Sequence, residues 1–148
     1  MTFELDYDEL IFLDAEDLAE EGISEAYQGL LPYLRRFVDE PAEIKEISDH
    51  DLPSYSVSAL GSLYEIYAPN LEYREGQSWG RATYAFFKIV NDQLTHTEHQ
   101  FYAINGGNDL GGMFLRPEEC AAAIESLENK TDWPYIPTEE HPWYGQHH

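Results

Sequence analysis

The chain has 148 residues, the length of one domain with a substantial hydrophobic core. Its 29 Asp and Glu against 8 Lys and Arg give a formal charge of −21, which repels nucleic acid and anionic lipid and attracts basic proteins. Apolar residues make up 43% and aromatic residues 14%, which excludes a disordered acidic tail because such tails are poor in aromatic side chains. We therefore expect a single folded domain, residues 1–148, with the charge on its surface.

The negative charge is concentrated at the N-terminus, since residues 1–34 contain no Lys and no Arg. The same stretch holds ten carboxylates: Glu4, Asp6, Asp8, Glu9, Asp14, Glu16, Asp17, Glu20, Glu21 and Glu25. A solvated helix normally mixes both signs and gains favourable pairs four residues apart. A small domain needs a net charge of only about 2–8 for solubility. Two interpretations stay open for these acids, a solvated face and a docking face for a basic partner.

The sequence also indicates the compartment. Cys120 is the only cysteine, so no internal disulfide can form, which fits a reducing environment. The N-terminus lacks a basic segment followed by an apolar one, and no apolar run approaches the roughly 20 residues needed to cross a bilayer. We expect a cytoplasmic protein without membrane contact. The terminal His147-His148 is either native or the remnant of a purification tag.

Helices dominate the predicted N-terminal part. The apolar run Leu10–Leu13 indicates a short buried strand within residues 7–13. Two helices then follow from the capping residues and the apolar spacing. They are a helix over 15–21, capped by Asp14 and ended by Gly22, and a helix from Ser24 to about Val38 with a kink at Pro32.

Strands and two further helices are predicted for the rest of the chain. The alternation predicts strands over 43–47, 55–60 and 63–67, with Gly61-Ser62 as a two-residue hairpin turn, and a loop over 71–77. A helix over 78–94 is favoured over a strand within 84–90 because of its length and the Ser78 cap. The remaining elements are a strand over 99–104, a glycine turn at 106–109, a strand over 113–115, a helix over 117–127 and an aromatic strap over 132–145. This order predicts an α+β fold, with a mostly antiparallel sheet, N-terminal helices and helices packed on one face.

One group of side chains has metal-ligand chemistry. If the segment is extended, His96 and Glu98 share a face while His99 points away, and a zinc site would need further ligands from elsewhere. With Asp109, these residues are the first suspects for a metal-dependent enzyme. The alternative is a set of exposed polar residues between two elements.

Two other features are interpreted as structural. Cys120 directly follows Glu118 and Glu119, whose charges raise the pKa of a thiol, so a small core thiol is favoured over a nucleophile. The glycine-rich run 106–112 lacks the Gly-Lys-Ser/Thr of a phosphate loop. It is interpreted as a hairpin with positive φ angles, or else as a loop that touches a partner through Asn108 and Asp109.

The second half of the chain resembles a known class. Residues 78–87, 89–91, 93–94 and 101–110, with Trp133-Pro134-Tyr135, look like the core of the small acidic immunity proteins of bacterial polymorphic-toxin systems, of the contact-dependent or type VI kind. The glycine-rich loop before Met113 and the Leu-Pro pair at 31–32 also resemble the SMI1/KNR4 class, which includes many immunity proteins. The resemblance implies an α+β protein that binds and blocks a cognate toxin. It implies no catalytic residues and no cofactor.

The charge and the resemblance predict one function, an immunity protein that occludes the active site of a basic toxin, with a nuclease as the expected target. Its predicted partner-binding residues are Asp14, Glu16, Asp17, Glu20, Glu21, Glu25, Trp79, Asn108, Asp109 and Trp143. Further candidate aromatic anchors are Tyr7, Tyr27 and Tyr73. The alternatives are a small-ligand or regulatory binding module, with Trp133 and Trp143 over a pocket, and the metal-dependent enzyme.

Overall fold

The computed structural model describes residues 4–51, 53–69 and 75–148. Within these ranges the helices are α1 (Ala15–Glu20), α2 (Ile23–Leu34), α3 (Glu75–Asp92) and α4 (Pro117–Ser126). The strands are β1 (Ile11–Phe12), β2 (Lys45–Asp49), β3 (Ser54–Ala59), β4 (Ser62–Tyr67), β5 (Gln100–Ile104) and β6 (Gly111–Leu115). Short 3-10 turns occupy Tyr7–Glu9, Gly107–Asp109 and Lys130–Asp132. The α+β fold is confirmed.

The strands form two three-stranded sheets, and all their pairings are antiparallel. The first sheet has the order β1-β6-β5, so a strand from the start of the chain lies beside one from its second half. The second sheet is the meander β2-β3-β4. In each sheet the edge strands are therefore well defined, and in the first sheet they are β1 and β5.

Strands β5 and β6 of the first sheet are largely buried on both faces. Alternate side chains of a strand point to opposite sides. Accordingly Phe101 and Ala103 join the main core with Phe86 and Phe87 of α3. Tyr102 and Ile104 instead join a smaller core with Cys120 and Ala123 of α4. Helices α3 and α4 thus lie on opposite faces of this sheet, so the predicted packing of helices on one face is wrong here.

Helix α3 confirms the helical interpretation of its region. It contacts α1, α2, β4 and β5, and its Asn91 side chain bonds the backbone of Phe101 in both directions, at 3.0 and 2.7 Å. The helix begins at Glu75, before the expected start at Ser78. The predicted loop over 71–77 is therefore wrong for 75–77, and its residues 71–74 lie outside the described residues.

The N-terminal predictions need three corrections. The expected buried strand within 7–13 is reduced to two residues, because Asp6 caps a 3-10 turn over Tyr7–Glu9. Phe12 is 66% exposed. Helix α1 is confirmed with Asp14 as its cap, but α2 starts at Ile23 with Gly22 at the N-cap position, not Ser24.

Three further boundaries differ from the predictions. Strand β2 spans Lys45–Asp49 and not 43–47. Helix α2 ends at Leu34 and not near Val38, because a tighter turn follows Pro32 in which Arg36 N–H bonds the Tyr33 carbonyl. The hairpin turn is Leu60-Gly61 and not Gly61-Ser62, since Ala59 pairs with Ser62. Both turn residues have positive φ, 53° and 80°, as a two-residue hairpin of type I′ requires.

The C-terminal predictions agree more closely. Strand β5 and helix α4 lie within one residue of their expected bounds, and β6 extends the predicted 113–115 back to Gly111. The strap over 132–145 runs across the body, and Tyr135 pairs with Ala103 of β5. No helix in the described ranges is long and apolar enough to cross a membrane.

Candidate functional site

The principal candidate site is a groove between β1 and the two N-terminal helices, with a volume of about 630 Å³. Its residues come from β1 and its flanks on one side and from α1 and α2 on the other. They are Leu10, Ile11, Phe12, Leu13, Asp17, Glu21, Gly22, Glu25, Ala26, Gly29 and Tyr33. We call this feature the acidic groove.

Helical spacing builds the helix wall of the acidic groove. Glu25, Gly29 and Tyr33 stand four residues apart on α2, so they follow one face of the helix. Gly29 contributes no side chain, and a Cβ built on it meets no atom within 4 Å. The wall is therefore acidic at one end, open in the middle and aromatic at the other end.

The carboxylates of the acidic groove have no basic partners in the part of the chain that the structure describes. Asp17, Glu21 and Glu25 are exposed, and among the described residues no Lys, Arg or His forms an ion pair with any of them. The ion pairs that the described chain does form involve Glu9, Asp92, Glu118 and Glu119. The negative field of the acidic groove is thus not neutralised from within the described protein.

Apolar rings lie at the other end of the acidic groove. Phe12 is 66% exposed and Tyr33 is 37% exposed. The guanidinium of Arg36 lies 5.2 Å from the centre of the Tyr33 ring and pairs with Glu9 at 3.8 Å. A cation already packs on an aromatic face at this end, so the surface offers both carboxylates and ring faces to basic side chains.

The other predicted acids serve partly in folding. One carboxylate oxygen of Asp14 accepts the backbone N–H groups of Glu16 and Asp17, and Asn108 Nδ2 donates to the same oxygen at 3.1 Å. Asp14 thereby connects the start of α1 to the turn that holds Asn108 and Asp109, both exposed. Glu16 is half-buried and Glu20 is exposed.

The predicted aromatic anchors are divided among different places. Trp79 and Trp143 line one small cleft with Gly106 and Gly107, close to Asn108. That cleft has a volume of about 130 Å³, below the roughly 300–1,000 Å³ of ligand pockets. Trp143 is 49% exposed, whereas Tyr27 is buried in the core. Tyr7 is exposed beside the groove's strand, and Tyr73 lies outside the described residues.

The strap covers a different and larger cleft. It has a volume of about 510 Å³ and lies between β4, α3 and the strap, lined by Tyr64, Glu65, Arg81, Glu139 and Tyr144 among others. Neither Trp133 nor Trp143 lines it; the Trp133 ring nitrogen donates to the Leu127 carbonyl at 2.8 Å. The two tryptophans expected to rim a ligand pocket therefore do not line this larger cleft.

No metal-ligand set forms among the described residues. His99 packs its ring on Phe37 at 4.6 Å between centroids, while His96 and Glu98 are exposed. Cys120 is buried as expected. Burial raises the pKa of its thiol, and the Tyr102 hydroxyl opposes this shift in part.

Comparisons with known proteins do not assign this chain to a family. A scan against protein-family models found no match, and neither the curated proteins nor the solved structures gave one. The site must therefore be interpreted from its own residues.

The sequence reasoning found the acids of this site but missed Phe12, Gly29 and Tyr33. One signal could have indicated Gly29 and Tyr33, because positions 21, 25, 29 and 33 are four residues apart and follow one helix face from the predicted acids Glu21 and Glu25. Phe12 gave no such signal, since an apolar run does not show which of its members ends up at an open edge.

Proposed function

We propose that this chain is an inhibitory binding protein, of the immunity-protein kind, that blocks a basic protein toxin with the acidic groove. The observation that carries the proposal is the coincidence, in one groove, of exposed rings and carboxylates that form no ion pair with the described residues. Asp17, Glu21 and Glu25 supply the charge, and Phe12 and Tyr33 supply apolar contact area.

A nuclease is the target class that the chemistry fits best. Enzymes that act on nucleic acid hold phosphates with Lys and Arg around their clefts. Carboxylates presented by an inhibitor complement that potential and speed the encounter, with association rate constants up to about 10⁸–10⁹ M⁻¹s⁻¹ at low salt. The formal charge of −21 extends this attraction to the whole molecule.

Rings at the groove would supply affinity that charge alone does not. The residues that dominate interface energies are enriched in aromatic side chains near the centre of the contact. Phe12 and Tyr33 already lie at the surface, so contact with a partner would bury rings that folding leaves in water. In this proposal, charge speeds association with the partner, and burial of the rings slows dissociation.

The experiment is a titration against each basic protein encoded beside this gene, with surface plasmon resonance at about 50 and 500 mM salt. We expect a complex that inhibits the partner's nuclease activity and whose association rate constant falls steeply with salt. If no complex forms at the lower salt, the proposal is overturned.

A charge-matched pair of variants locates the surface. The double variant Glu21→Lys and Glu25→Lys reverses two groove charges, and Glu125→Lys with Glu128→Lys reverses two exposed charges on and just after α4. Both proteins have the same net charge. We expect the groove variant to associate at least about tenfold more slowly than the α4 variant, since local complementarity governs steering. Equal rates for the two would show that only net charge matters.

A further inference from the structure

The outer edge of β5 is closed. Its outward backbone groups lie at alternate residues, as an antiparallel ladder requires. Asn91 bonds both groups of Phe101, and the backbone of Tyr135 bonds both groups of Ala103 at 2.7 and 3.1 Å. The Tyr135 hydroxyl then donates to the carbonyl of Asn105 at 2.6 Å. No strand can add to this side of the first sheet.

Among the residues that the structure describes, nothing pairs with the outer edge of β1. Leu13 N–H donates to the Leu110 carbonyl at 2.9 Å, and Ile11 stands opposite Gly112 in the same register. Alternation then directs the N–H and C=O of Phe12 away from β6. Within the described residues neither group of Phe12 has a hydrogen-bond partner. The acidic groove lies along this edge.

The groove has the shape and charge for one kind of occupant. A further strand would lie about 4.8 Å from β1, in the space that Gly29 leaves free. Every second side chain of such a strand would point toward α1 and α2, where Asp17, Glu21 and Glu25 lie. Those positions favour Lys or Arg.

We propose that the partner docks by adding an extended basic segment to β1 as a further strand, with Lys or Arg at alternate positions against these carboxylates. This inference rests on the proposed function and specifies how the acidic groove is used. It differs from contact through charge alone, because it requires hydrogen bonds to the backbone of Phe12.

Three peptides test the pairing directly. The probe is an eight-residue peptide of alternating Lys and Val, acetylated and amidated, with a fluorescent label. Two isomers carry N-methyl groups on all Lys or on all Val residues, so charge and length are kept while one edge of the strand loses its N–H donors. In anisotropy titrations at low salt, we expect one isomer to bind at least about tenfold more weakly than the parent and the other to bind like the parent.

The outcomes separate this inference from the proposed function. If both isomers bind like the parent, or the parent does not bind, strand addition is overturned. The titration with the basic protein partner then decides the proposed function by itself. Binding of a helical peptide of equal charge in place of the extended one would likewise overturn strand addition.

A matched pair on α2 checks the location. Gly29→Trp fills the acidic groove from an exposed helix position where the added side chain meets open space. Gln28→Trp places the same ring on the neighbouring exposed residue, which does not line the groove. We expect at least about tenfold weaker peptide binding for Gly29→Trp and unchanged binding for Gln28→Trp. Equal affinities of the two variants would overturn the location.

Hydrogen exchange of one amide gives an independent readout. In the free protein the Phe12 amide should exchange fast and the Leu13 amide slowly, because only Leu13 donates within the sheet. Strand addition should slow Phe12 exchange at least about tenfold in the peptide complex, followed by ¹H–¹⁵N NMR. Unchanged Phe12 exchange in a saturated complex would rule out the pairing.

Discussion

The two edges of the first sheet differ in how their aromatic residues are exposed: the strap edge at β5 buries its ring, and the groove edge at β1 leaves its ring in solvent. On the strap side, Tyr135 is 6% exposed and its hydroxyl and backbone are all hydrogen-bonded. On the groove side, Phe12 is 66% exposed. Burial and hydrogen bonds within the fold therefore explain why an aromatic residue stands at Tyr135. The exposed ring of Phe12 has no such explanation within the fold.

This difference points to β1 as the edge available to a partner. An open strand edge invites pairing with another chain, and proteins usually cover it or place charge beside it. Here the strap and Asn91 cover the β5 edge, while carboxylates stand beside the β1 edge. Those carboxylates also deter a second copy of this chain, because two acidic grooves repel each other. A basic segment would be selected by the same charges.

Truncating one ring on each side of the first sheet should affect stability very differently. Tyr135→Ala removes a buried ring and should lower the free energy of unfolding by about 3–5 kcal/mol. Phe12→Ala removes an exposed ring and should change it by no more than about 0.5 kcal/mol. Urea unfolding followed by circular dichroism measures both. Similar losses for the two variants would contradict the assignment of Phe12 to docking.

Elements with a strong local period could be predicted from the sequence. The stripe from Trp79 to Leu94 has helical spacing, and Pro117 followed by acids marks the start of α4. Both helices were therefore predicted close to their observed bounds. The pairing of β1 with β6 joins Ile11 to Gly112, and no local pattern specifies a contact between residues so far apart.

The candidate site was predictable to the extent that it depends on charge. Asp17, Glu21 and Glu25 were predicted because an uncompensated acidic run is visible in the sequence. The groove depends on how α2 lies beside β1, and tertiary packing sets that arrangement. Phe12, Gly29 and Tyr33 acquire their role only there. Conversely, the sequence did not show that Asp14 is engaged in capping and in a bond from Asn108.

High pH should destabilise the protein, because burial holds the pKa of several tyrosines above the usual value. Burial raises the pKa of Tyr135, and burial together with Cys120 raises the pKa of Tyr102 to about 12. In the unfolded chain a tyrosine ionises near pH 10, so above that pH the folded state binds more protons and stability falls as pH rises. The loss approaches about 1.4 kcal/mol per pH unit for each such tyrosine.

Thermal unfolding between pH 8 and 11.5 measures this loss. Tyr135→Phe should flatten the fall in melting temperature above pH 10, because one of the ionising groups is gone. A melting temperature that stays constant up to pH 11.5 would contradict the burial of these hydroxyls.

Two glycines lie within helices on different sides of the molecule, one facing the strap and the other facing the acidic groove. A Cβ on Gly80 of α3 would collide with the ring of Tyr144 in the strap, whereas a Cβ on Gly29 of α2 meets open space. Gly80→Ala should therefore destabilise the protein by about 1–3 kcal/mol through overpacking. Gly29→Ala should stabilise it by about 0.5–1 kcal/mol, since alanine loses less backbone freedom in a helix. Differential scanning calorimetry compares the two, and a stabilising Gly80→Ala would show that the strap does not cover α3.

Substitutions can distinguish acids that stabilise the fold from acids that remain available to a partner. Asp14 caps α1, and a cap is worth about 0.5–2 kcal/mol. Asp14→Ala should lose that stability. Asp14→Asn should retain most of it, because the amide oxygen can still accept the α1 N–H groups and asparagine tolerates the positive φ of 64°.

Glu21→Gln provides the contrast in the same unfolding assay. It removes one charge, as Asp14→Asn does, but from a side chain that forms no ion pair with the described residues. We expect its free energy of unfolding to stay within about 0.5 kcal/mol of the parent. Because like charges on the same surface repel, any change should be toward higher stability. A clear loss of stability in Glu21→Gln would mean that this carboxylate serves the fold, and the acidic groove would then lose one of the three charges on which docking depends.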